Sequence, residues 1–136
     1  MVFFGEYSVS FTAPGRIVIP KKIRELLKGD TFIVTKGFDE CLSGYDREDW
    51  EGRSQSLVSV SLLDKTDIAK RRALFSSATY ITIDDQGRFV IPKSLLLHAG
   101  LKDGVLILGV GDHFELWNPE KWEQYQLELQ AHSEKL

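Results

Sequence analysis

The chain is 136 residues long, 43% hydrophobic and 27% charged, with a formal net charge of −3 at pH 7. That length suits one domain with a radius of gyration of about 14 Å and a core that needs no disulfide, and the aromatic-containing composition excludes a disordered chain. The single cysteine, Cys41, excludes an internal disulfide framework and a multi-cysteine zinc site, and the mild acidity leaves any nucleic-acid binding to a local basic face.

Taken in chain order, residues 8–11 read as a short strand rich in β-branched and aromatic side chains. Residues 12–15 then turn, with Gly15 free to take positive φ. Arg16 opens a strand over 17–19, and Pro20 suits the first position of a short helix over 21–27. Strands are expected at 31–35 and 41–45, after which Asp46 is placed to cap a helix. Residues 54–61 are serine-rich and read as a loop. Thr66 and Asp67 can then cap a helix over 68–78, with Ile68, Leu74 and Phe75 inward and Lys70, Arg71 and Arg72 outward. From residue 80 the pattern starts again: a strand at 80–83, a turn at 84–87, Arg88, a strand at 89–91, Pro92, and a helix over 93–99 closed by Gly100. Strands at 105–110 and 114–117 lead to Asn118-Pro119-Glu120, a capping sequence for a last helix. There Trp122, Tyr125 and Leu129 fall at i, i+3 and i+7, one apolar stripe.

The chain therefore repeats itself. Residues 8–21 read SVSFTAPGRIVIPK and residues 80–93 read YITIDDQGRFVIPK, at a constant offset of 72 with six of the fourteen positions identical. The same offset pairs Glu48 with Glu120, Trp50 with Trp122 and Glu51 with Glu123. Between those blocks the register is expected to slip by two residues and recover. One spacing at both ends of the segment marks a duplication. Two hairpins and a short helix cannot bury a core alone, so the halves are expected to pack together as a pseudo-two-fold pair.

Gly-Arg-(Ile/Phe)-Val-Ile-Pro-Lys, after a strand and before a helix, resembles the loop-hinge-helix of AbrB-type DNA-binding domains. Two copies in a chain of this length resemble the MraZ family of bacterial transcriptional regulators, as do the flanking Gly5-Glu6-Tyr7, Phe75-Ser76-Ser77-Ala78 and the segment 115–122. The resemblance implies an α+β fold: a duplicated AbrB-like motif forming one small pseudo-two-fold β-barrel flanked by short helices. The motifs would span residues 5–52 and 79–123, joined by 53–78 and followed by a tail, 124–136. It also implies ring-like homo-oligomers that bind short direct repeats of double-stranded DNA in the promoter of the protein's own division and cell-wall gene cluster. The family's aspartate, three residues before the glycine-arginine pair, is matched by Asp84, Gly87 and Arg88. In the first copy Gly15 and Arg16 match, but Thr12 replaces the aspartate and Pro14 stands where a basic residue is common.

Arg16 and Arg88 are the leading candidate DNA contacts, since a guanidinium fork suits a phosphate or a guanine edge. Gly15, Gly87 and Asp84 are expected to shape the turns. Lys21, Lys22, Arg24 and Lys93 fall where positive charge opposes the helix dipole, which points to phosphate contacts. No cofactor or metal is expected, because His98, His113 and His132 lack ligand spacing and no Ser/His/Asp set converges. Asp84-Asp85 reads as turn chemistry and not a catalytic pair, and the chain reads as a non-enzyme. Cys41 reads as a core residue, Trp50 and Trp122 as core or interface anchors, and Val2-Phe3-Phe4 as an exposed apolar start covered by subunit packing. With no apolar run near ~20 residues and no basic leader, the sequence reads as cytoplasmic, with no membrane partner, and the resemblance implies nucleoid association. The alternative is an antitoxin-like interaction module on the same scaffold, acting through its tail.

Overall fold

The computed structural model describes residues 2–58 and 65–135. Its elements run β1 (Glu6–Ser10), β2 (Arg16–Val18), α1 (Lys21–Leu26), β3 (Thr31–Lys36), β4 (Leu42–Asp46), α2 (Arg47–Val58), α3 (Lys65–Ser77), β5 (Thr79–Thr82), β6 (Arg88–Val90), α4 (Lys93–Ala99), β7 (Gly104–Gly109), β8 (Phe114–Trp117) and α5 (Pro119–Lys135). The strands form a six-stranded antiparallel sheet, in the order β1-β7-β8-β4-β3-β5, and a separate two-stranded ribbon, β2-β6. The fold is mixed α+β, and no described helix is long and apolar enough to cross a membrane.

The two copies are interleaved and do not sit side by side. β1 of the first copy pairs with β7 of the second, and β5 of the second pairs with β3 of the first. The hairpins β3-β4 and β7-β8 meet edge to edge through β4 and β8, centred on Ser43 opposite Glu115. In the ribbon, Ile17 lies opposite Phe89, so the pseudo-dyad passes through both sheets. Two backbone bonds extend the exchange, Ile19 N–H to the Gly87 carbonyl and Ile91 N–H to the Gly15 carbonyl, both 2.8 Å. One core cluster contains side chains of both copies, among them Ile17, Phe32, Phe89, Leu95 and Phe114. Phe32 meets Phe89 edge-on at 5.1 Å and Phe114 at 5.7 Å.

The slip between copies is one residue, not two. β3 and β7 share one burial pattern with Thr31 equivalent to Gly104, a single step beyond the 72-residue offset. The extra residue is absorbed after Gly100, whose left-handed backbone ends α4, whereas α1 ends on an extended Leu27. The register is recovered by β8, because five residues join β3 to β4 and four join β7 to β8, and a tie links equivalent positions. In the first copy the Lys28 N–H donates to Asp46 Oδ1 at 2.8 Å; in the second, Asn118 Nδ2 donates to the Gly100 carbonyl at 2.7 Å. A carboxylate can only accept, so aspartate takes the N–H, while asparagine can donate to the carbonyl.

Several local expectations change. Pro20 and Pro92 are N-cap residues and not first-turn residues; the Pro20 carbonyl accepts from Ile23 and Arg24, and the Pro92 carbonyl from Leu95 and Leu96. Asp46 is engaged with Lys28 and does not cap α2, whereas Asn118 caps α5 by accepting from the Glu120 and Lys121 N–H groups. The serine-rich stretch is helical through residue 58, and its remainder lies outside the described residues. α3 begins at Lys65, which places Asp67 in the first turn. Arg71 is half-buried, not outward, because its face of α3 turns toward the groove that Trp50 and Leu74 also line. Phe3 is buried against Phe114 at 5.3 Å, held by paired backbone bonds to Gly111, so of Val2, Phe3 and Phe4 the first and last are exposed and Phe3 is not. On α5, Trp122 and Tyr125 pack on Trp117, but Leu129 is exposed because the helix has by then run past the sheet. Cys41 is fully buried as expected, its thiol pushed up to about 12 by burial and by the Glu115 carboxylate.

Beside Cys41, His113 stacks on Tyr45 at 4.9 Å, with Nδ1 2.6 Å from Asp112 Oδ1 and Nε2 3.8 Å from Glu115 Oε2. Burial disfavours the charged imidazole, but Glu115 and Asp112 outweigh it and hold the pKa above its ordinary value. A raised pKa adds stability in full below the unfolded value of about 6.5, lost as pH rises through the folded one. The margin in melting temperature of the wild type over His113→Gln is therefore expected to be larger at pH 6 than at pH 8.5. A margin that stays constant across that range would mean that the network holds no charged imidazole.

Candidate nucleic-acid interface

The ribbon positions the two arginines. In β2, Ile17 points into the core and is fully buried, so by the period-two alternation Arg16 and Val18 face outward; in β6, Phe89 is buried and Arg88 and Val90 face outward. The antiparallel register sets Arg16 opposite Val90 and Val18 opposite Arg88. Directly opposed residues share a face, so one outward surface carries two arginines and two valines in a diagonal pattern. Arg16 and Arg88 line one open concavity together with Tyr80, Thr82, Asp84 and Pro92.

The turns that feed this ribbon are built differently. Gly15 and Gly87 have φ of 75° and 79° and are buried, and a Cβ at Gly15 would lie 3.0 Å from the Ile91 carbonyl oxygen. Both positions need glycine for conformation, and Gly15 also for the close approach of the other copy's backbone. In the second turn Asp84 Oδ1 accepts from the Arg88 N–H at 2.8 Å and the Gln86 N–H at 2.9 Å, and Oδ2 accepts from Arg88 Nε at 2.7 Å. The Arg88 N–H and guanidinium, with the Gln86 N–H, hold the Asp84 carboxyl below the usual carboxylate range. In the first turn Thr12 Oγ1 donates to the Arg16 carbonyl at 3.3 Å and braces no N–H. Pro14, the equivalent of Gln86, has no N–H to offer, so the loss of the aspartate and the arrival of the proline compensate each other.

Each turn is also backed by the short helix of the other copy. Arg24 of α1 reaches the second turn, with Nη2 3.4 Å from the Asp84 carbonyl oxygen and Nη1 against Gly87. Its equivalent in α4, Leu96, reaches the first turn, where its Cδ1 lies against Gly15. Arg24 is thus half-buried and supports a loop, while Lys21, Lys22 and Lys93 are exposed at the starts of α1 and α4. None of these four lines the arginine concavity. Arg16 is exposed and takes part in none of the ion pairs among the described residues, whereas Arg88 is half-buried and fixed by Asp84.

Val18, Val90 and Tyr80 are not among the expected site residues, although the alternation in Arg16-Ile17-Val18 carries the signal for the valines. Tyr80 is exposed and sits under the Arg47 guanidinium at 5.5 Å, which adds a cation–π contact beside the concavity. Among the described residues no group of three or more His, Cys, Asp or Glu is placed to hold a metal. Chemically the face offers one fixed and one free guanidinium, both suited to bidentate acceptors, with apolar side chains between them.

Comparison with known proteins matches the chain twice to the family described as "MraZ protein, putative antitoxin-like", over residues 2–73 and 74–135. The chain is 43% identical over 124 residues to the transcriptional regulator MraZ of Ligilactobacillus salivarius, covering 91% of this chain and 86% of that one. It is 44% identical over 124 residues to the transcriptional regulator MraZ of Acetivibrio thermocellus, with the same coverage, and 38% identical over 135 residues to that of Lactiplantibacillus plantarum, covering 99% and 95%.

Proposed function

The chain belongs to the MraZ family, and from that premise we propose that it is a sequence-preferring DNA-binding transcriptional regulator. The relatives' names support a transcription regulator that is not an enzyme. The observation that carries DNA binding is the outward face of the β2-β6 ribbon, where Arg16 and Arg88 stand on opposite strands of one antiparallel pair. A two-stranded ribbon fits the major groove, and its face can present guanidinium forks to base edges. In this reading Arg16 and Arg88 address bases, Lys21, Lys22 and Lys93 address phosphates, and Arg24, Asp84, Gly15 and Gly87 hold the loops.

The same reading takes the ribbon and the six-stranded sheet as the wall of one small barrel, supported by their shared core. Residues 5–52 and 79–123 are its two motif units, 53–78 the connection and 124–136 the tail. One such unit carries few positive charges against a net of −3, so a ring-like homo-oligomer bound to promoter repeats of its own division and cell-wall cluster would gain by repeating weak contacts. In a gel-shift titration at two salt concentrations, the chain's own upstream region is expected to bind more tightly than scrambled DNA and to weaken as salt rises. Equal affinity for both duplexes would reduce the protein to a non-specific binder.

The antitoxin-like alternative is favoured by the family's description and by the exposed Leu127 and Leu129 on the outer half of α5. Pull-down of a toxin on the intact protein, lost on substituting those leucines, is the result that would favour it.

A further inference from the structure

Resting on the DNA reading above, we propose that Val18 and Val90 determine specificity by contacting thymine C5-methyl groups from the two end pairs of the ribbon. The two valines are 38% and 53% exposed, while their strand neighbours Ile17 and Phe89 are 0% and 2% exposed. Isolated surface valines are ordinary. These two occupy equivalent positions of the duplicated segments, on the same face as both arginines, with an arginine directly across from each.

Cross-strand neighbours of this kind have Cβ atoms about 4.5–5.5 Å apart, between one and two base-pair steps of about 3.4 Å. An arginine aimed at one base edge therefore leaves the valine across from it within two pairs of that base. The only apolar group on the major-groove edge of a base pair is the thymine methyl, and a β-branched side chain meets it without leaving a buried polar atom unpaired. The valines' other surroundings are the turns. Val18 Cγ1 lies near Gly87 and Val90 Cγ1 near Gly15, so the same packing that closes each loop holds the valine's position.

The test compares the chain's own upstream duplex with the same duplex in which every thymine is replaced by deoxyuridine, a change that deletes only the methyls. It uses the wild-type protein and the Val18→Ser/Val90→Ser variant, which leaves no methyl at either position. The wild type is expected to lose about fourfold in affinity per contacted methyl, or roughly 15-fold for two per subunit engaged. The variant, with unchanged melting temperature, is expected to bind the two duplexes within about twofold of each other. Equal losses for both proteins, or no loss for the wild type, would overturn the inference and leave the DNA reading standing. No binding of the thymine duplex by the wild type would overturn both.

Discussion

Expressed separately, residues 1–60 and 79–136 are expected to give fragments without a cooperative thermal transition. Each fragment keeps its own hairpin, β3-β4 or β7-β8, but loses the strand that covers the hairpin's outer edge. The first fragment would leave Phe32 without Phe89, and the second would leave Phe114 without Phe3 and Phe32. Deleting one buried aromatic side chain typically costs about 3–5 kcal/mol, against a total stability of about 5–15 kcal/mol. Each fragment loses several such partners at once, together with half of the ribbon. Melts followed by far-UV circular dichroism, with sedimentation to establish the monomer, are the check. A monomeric fragment with a sharp transition would show that a half-chain has a sufficient core of its own.

The largest expected functional effect is that of Arg16→Ala combined with Arg88→Ala. Both side chains face outward from a ribbon whose inner face is complete without them, so stability should change little. A bidentate base contact is worth about 1–3 kcal/mol, roughly 5- to 150-fold in affinity per contact, and repetition around an oligomer multiplies that. Arg88→Ala is expected to be at least as damaging as Arg16→Ala, for two reasons. Asp84 pre-organises Arg88, so less ordering cost remains at binding. Removing Arg88 also leaves the Asp84 carboxylate without its cation, on a face that would meet phosphates. Affinity near the wild type in the double variant, with its assembly intact, would place the DNA on another surface.

The repeat and the turn chemistry were legible in one dimension. Gly15 and Gly87 were visible because nothing else takes their φ in that space, and Asn118-Pro119-Glu120 because a cap depends on adjacent residues alone. The strand exchange was not legible. The alternation in residues 6–10 fits β7 as well as β3, and only the shared core selects between them. The slip was legible but its size was not: it is one residue and not two, taken up where α1 and α4 end differently, on Leu27 and on Gly100. Phe3 read as surface because its burial depends on backbone pairing with Gly111, more than a hundred residues away. At the candidate interface the arginines stood out by recurrence, whereas the loop-bracing role of Arg24 depends on its reaching the other copy's turn.

Covalent fusion of the two copies has a consequence for what their surface can tell apart. Two identical chains building this fold would carry identical turns, and the face between them would look the same after half a rotation. Here one turn is held by a carboxylate, a guanidinium and an N–H, and the other by a proline, a threonine and a leucine. The arginine at one end is clamped and the one at the other is free. The face therefore has a head and a tail. The two ends of that face are not interchangeable to any partner that meets both.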